Sequence, residues 1–197
     1  MGDIKSAAEI AREKLEKIGA PTDAERLKWK YAPEGEKLAA RYLKEDTLNL
    51  AAEVKKFDDK ARQFVAASVS DILLRNLSLP RTEAARKTNK KAMDGLKLLK
   101  NDKSAVENVL TRMRHVLDHY VQEGAKQKQQ AYETLKTDFE AKVQQAIRQK
   151  TGTNAKFKVD VEKQPQFQEE WQRLQAQMEA QYLTFMEDYK KELAVIN

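Results

Sequence analysis

The stretch FQEEWQRLQAQMEAQYLTFMEDYKKEL, residues 167–193, decides the fold. Its large apolar residues, Phe167, Trp171, Leu174, Met178, Tyr182, Phe185, Tyr189 and Leu193, follow one another at spacings of three or four. A repeat of roughly eleven residues over three turns holds such a row on one helix face. A longer row precedes it: Val106, Leu110, Met113, Leu117 and Val121, then, past Gly124 and Lys128, Tyr132, Leu135, Phe139, Val143 and Ala146. Two rows joined by one break predict a long antiparallel, coiled-coil-like helical hairpin over 102–197, with its tip at 151–165. A turn centred near residue 157 sets Leu193 beside Val121. Residues 106–120 are then left to pack against earlier helices.

Working outward, the four prolines at 21, 33, 80 and 165 punctuate further helices. A first helix is expected over 3–18, and Thr22 with Glu25 has the spacing of a capping box for a short helix ending before Pro33. Another runs over 35–44. Asp46 or Thr47 caps a long helix to about residue 76, on whose stripe Ser68 is the one polar member. Thr82 caps a basic helix over 82–100. The expected fold is all-α, with a helical body at 1–101 and the hairpin at 102–197.

One segment departs from helical spacing. Residues 156–162, KFKVDVE, alternate polar and apolar in the manner of a half-buried strand. A lone strand lacks a partner for its backbone groups. Phe157, Val159 and Val161 are therefore candidate partner-binding residues at the tip, either laid over the hairpin, paired with a second copy of the chain, or paired with a bound peptide.

The composition excludes several classes. There is no cysteine among the 197 residues, so disulfides, thiolate metal sites and cysteine nucleophiles are ruled out. No apolar run reaches the ~18 residues of a membrane span, and the first residues lack the basic and apolar parts of a secretory signal. A cytoplasmic protein is expected. The net charge of +6 lies in one place: residues 75–100 hold eight basic side chains against Glu83 and Asp94, while the rest of the chain is balanced.

Within that segment Arg86, Lys87, Lys90, Lys91 and Lys97 share one side of the helix, opposite Ala85, Ala92, Leu96 and Leu99. Such a face is a solvated surface, a contact for nucleic-acid phosphates, or a contact for an acidic protein or lipid headgroup. No aromatic residue between Phe64 and Tyr120 supplies a platform for stacking bases. The only histidines, His115 and His119, stand one turn apart, a spacing that can hold a metal. They point away from the apolar row and lack the glutamate of a zinc peptidase, and neither a metal nor a cofactor is expected. Adjacent carboxylates such as Asp58 and Asp59 diverge by ~100° on a helix and form no dyad. The reading is a non-enzymatic interaction protein (scaffold, adaptor or holdase-like) that binds protein partners, or a second copy of itself, through the hairpin arm and tip. Nucleic-acid association through the basic helix is the alternative.

Overall fold

The computed structural model describes residue 6, residues 21–152 and residues 159–196. Every regular element among them is helical, so the chain is all-α. The helix expected over 3–18 lies outside the described residues, apart from Ser6. Contacts cluster into two units, Met1–Leu73 and Leu74–Asn197. The basic helix falls in the second, with the hairpin, whereas the sequence reading groups it with the body.

In the first unit, helix α1 spans Asp23–Lys44. The Thr22 hydroxyl accepts from Glu25 N at 3.3 Å, and the Glu25 carboxylate accepts from Thr22 N at 2.7 Å, closing the capping box. The two helices expected on either side of Pro33 are one, with Pro33 inside it. Proline in a helix costs about 3 kcal/mol through its lost donor and ring clash. Here the turns beyond it bury Gly35, Leu38, Ala39 and Tyr42, which offsets that cost. Ser68 Oγ donates to the Ala32 carbonyl at 2.8 Å, so the polar member of the stripe ties two helices together.

The long helix expected from residue 47 is divided into α2, Leu50–Lys55, and α3, Asp59–Asn76. Asn49 caps the first by accepting from Ala52 N at 3.0 Å. Asp58 Oδ1 accepts from Ala61 N at 2.9 Å, and Arg62 donates to the Phe57 carbonyl at 2.9 Å, so local side chains satisfy the backbone at the break. From α3 the first unit buries Ala61, Val65, Val69 and Leu73.

The second unit begins with buried Leu74, Leu77 and Leu79. Helix α4 spans Glu83–Leu99 and is capped by Thr82, which accepts from Ala85 N at 3.1 Å. Lys103 Nζ donates to the carbonyls of Lys97, Leu98 and Lys100, satisfying the end of α4. Helix α5, Lys103–His119, passes into a π-helical turn, Tyr120–Gly124, and then α6, Ala125–Thr151. Gly152, at φ 67°, ends α6 in the left-handed region. Residues 161–163 form a single 3-10 turn, and α7 spans Pro165–Val195 with proline in its first turn.

Side-chain contacts show α7 running antiparallel to α5 and α6. Phe167 packs edge-on to Phe139 and Tyr132, Glu179 meets Tyr120, Tyr182 meets His119, and Glu192 meets Arg112. This register corrects the expected one. Helix α7 passes Val121 and reaches α5, and Lys100 Nζ donates to the Ile196 carbonyl at its end. Helix α6 runs twelve residues past Phe139 to Thr151, and Phe167 at the start of α7 docks back against Phe139.

The strand expected at 156–162 is replaced where residues are described. Val159 and Asp160 are irregular, and Val161 opens the 3-10 turn. Val161 is 1% exposed. Glu162 accepts from Tyr132 Oη at 2.6 Å and Lys136 Nζ at 3.0 Å. Val161 and Glu162 are thus taken up within the hairpin.

Candidate functional site

Helices α4 and α5 are joined by three residues, Lys100–Asp102, and form a concavity of about 360 Å³ between them. On α4 the lining positions are Arg86, Asn89, Lys90, Met93, Asp94 and Lys97, each three or four residues from another, which keeps one face turned inward. On α5 the same spacing presents Glu107, Leu110, Arg114, Leu117 and Asp118. Met93, Leu110 and Leu117 make an apolar floor, and each is buried. Charged side chains stand at the lips.

Three of the five residues of the basic face therefore line this groove: Arg86, Lys90 and Lys97. Lys87 is exposed and Lys91 half-buried outside it. Lys97 Nζ is 2.7 Å from Glu107, which Arg114 also meets at 2.5 Å, so one carboxylate bridges both lips. The Lys97 contact, with Arg114 behind it, holds the Glu107 carboxyl below its ordinary value. Arg86 pairs with Glu83 at 3.5 Å. Among the described residues Lys87 and Lys90 have no ion-pair partner.

The tip residues are not brought to this groove. Phe157 lies outside the described residues, Val159 is half-buried, and Val161 is enclosed.

A second polar cluster sits at the π turn. Glu179, 8% exposed, accepts from Arg81 Nε at 3.2 Å and from Tyr120 Oη at 2.6 Å, with a second Arg81 nitrogen on its other oxygen. Lys128 Nζ lies 3.8 Å away. Burial pushes the Glu179 carboxyl up, but the Arg81 and Tyr120 hydrogen bonds reverse this and leave it below its ordinary value. Burial, then Glu179, push the Tyr120 phenol up to about 12. A carboxylate so fully engaged is a structural tie and not a free base.

His115 and His119 are exposed and, with Tyr182 and Phe185, line a shallow concavity of about 340 Å³. His119 Nδ1 is 2.9 Å from Tyr182 Oη. Among the described residues no three His, Cys, Asp or Glu side chains converge as metal ligands.

Sequence reasoning missed the opposite lip of the groove and the buried carboxylate. Arg114 falls seven residues after Glu107 on the same face, which was readable. Glu179 lies one position off the apolar row, and nothing nearby in sequence marks it as buried. The interruption at Gly124 and Lys128 did carry a signal, since the helix changes hydrogen bonding there.

The chain belongs to a family of unknown function, DUF6657, which it matches over residues 51–195. No curated protein and no solved structure matches it. Among the described residues no helix is long and apolar enough to cross a membrane.

Proposed function

We propose that this member of DUF6657 is a non-enzymatic adaptor that receives a helical segment of a protein partner in the groove between α4 and α5. The observation that carries the reading is the groove itself: Met93, Leu110 and Leu117 lie buried at its floor between charged lips. A helix presenting apolar side chains at i, i+3 or i+4 and i+7 fits such a trough. Helix α4 carries five basic residues against Glu83 and Asp94, which favours an acidic flank on the guest. The grip is assigned to the groove rather than the tip because Val161 is enclosed and Glu162 is held by α6. A reducing cytoplasm suits a cysteine-free chain of this kind.

The test places a photo-crosslinking residue at Lys90, at Arg114 and, as control, at Lys191 on α7, in cells making the full chain. The expected result is one shared protein adduct from Lys90 and Arg114 and none from Lys191. A peptide spanning the crosslinked segment should then bind the purified chain and lose at least tenfold in affinity with Lys87→Glu/Lys90→Glu, about 1.4 kcal/mol. Equal adducts from all three positions, or none from the groove, would overturn the assignment.

Nucleic-acid association through Arg86, Lys87, Lys90, Lys91 and Lys97 is the second reading. It is disfavoured because Arg86 and Lys97 are already paired with carboxylates.

A further inference from the structure

Helix α6 is the longest uninterrupted run of the hairpin without a single buried residue. Leu135, Phe139, Val143 and Ile147 form its apolar row, and all four are half-buried. On α7 Trp171, Leu174 and Met178 are half-buried too, Trp171 against Tyr132 and Met178 beside Gly124 and Lys128. Residues 161–163 cover part of the seam, at Tyr132 and Lys136, and the half-buried rows keep part of their apolar surface exposed. Antiparallel bundles close such a seam with two more helices.

Charge identifies those helices. Helix α6 holds six basic and three acidic residues, a net +3. Residues 159–182 hold five acidic and two basic, a net −3. Within the chain the opposition is only partly used, through Lys136 with Glu162 and Lys128 with Glu179. Among the described residues Lys142, Arg148 and Lys150 have no acidic partner and Glu169 has no basic one. We infer that a second copy of the chain closes the seam, with each α6 lying beside the partner's α7 in a two-fold four-helix bundle. The contact is isologous, as a two-fold axis requires. Like against like, α6 on α6, would bring +3 against +3, and the crossed arrangement alternates sign around the bundle.

The mass of the full chain in solution, at up to about 100 μM, tests this alongside two charge-reversed variants. One is Glu169→Lys/Glu170→Lys, and the other is Lys142→Glu/Arg148→Glu/Lys150→Glu. The parent is expected at twice 22.7 kDa. Each variant alone should fall to 22.7 kDa with unchanged helicity by circular dichroism, and their equimolar mixture should return to the dimer. A monomeric parent overturns the inference. So does a dimer that survives in both variants, or a mixture of folded variants that stays monomeric. Should a variant lose helicity, Val143→Cys in the cysteine-free parent decides: a short bismaleimide should link two copies there and not at Lys55→Cys, and equal or absent linking at both overturns it.

Discussion

Asn89 holds Ser78 by both ends of its amide group. The Asn89 side-chain nitrogen donates to the Ser78 carbonyl at 2.6 Å, and its oxygen accepts from Ser78 N at 3.0 Å. Asn89 is 3% exposed, so a helix residue does for the preceding loop what a neighbouring strand would do. Asn89→Ala leaves the Ser78 donor and acceptor unmatched and is expected to cost about 2–3 kcal/mol. Urea unfolding of the variant should show a lowered midpoint with unchanged slope. A shift under about 0.5 kcal/mol would mean the loop finds other partners.

The Glu179 cluster predicts a pH dependence at each extreme. Its carboxyl is below its ordinary value when folded, so it stabilises at neutral pH. That contribution is lost as pH falls through the lowered folded value. Tyr120 has the opposite sign: its folded value of about 12 exceeds its unfolded value. Its contribution is complete below about 10 and lost as pH rises towards about 12. Glu179→Gln should flatten the acid limb of a stability profile and Tyr120→Phe the alkaline limb. If both profiles match the parent, the cluster is not coupled to folding.

Two glycine substitutions should differ in sign. A Cβ on Gly35 would stand 2.7 Å from the Val65 carbonyl oxygen and 2.7 Å from Ser68 Cβ, with backbone unable to yield. Gly35→Ala is expected to destabilise by about 1–3 kcal/mol despite alanine's helix propensity. At Gly124 the nearest atom is a Tyr120 ring carbon at 3.5 Å, and φ is −61°. Gly124→Ala should be neutral or stabilise by up to about 1 kcal/mol. Thermal unfolding of the two variants checks the contrast.

Binding to random-sequence DNA and RNA at about 50 and 200 mM salt separates the two functional readings. The adaptor reading predicts no more than weak binding that disappears at the higher salt. Tight binding lost steeply across that range, and abolished by Lys87→Glu/Lys91→Glu, would put phosphate contact in place of the groove.

The helical character was legible because spacing alone carries it: the rows at 106–121 and 167–193, the Thr22 and Thr82 caps and the Gly152 stop each rest on local geometry. The helix through Pro33 was not, since the compensating burial comes from residues distant in sequence. The break at Asp58 hid because one aspartate of a pair reads as a solvated charge until its partner amide is known. The hairpin register was misplaced by assuming a loop centre instead of a Phe167–Phe139 contact. The groove is built from two mixed-charge faces, each ordinary by itself, and it exists only once the short turn at 100–102 folds one against the other.

The π turn at Tyr120–Gly124 has a further consequence. A wider turn takes up about one residue more than an α-helical turn, and one residue is worth about 100° of rotation. Residues 120–124 act as a setting screw: losing one residue there would rotate everything beyond it by about a quarter turn, swinging Tyr132 and Phe139 off Phe167 and Trp171.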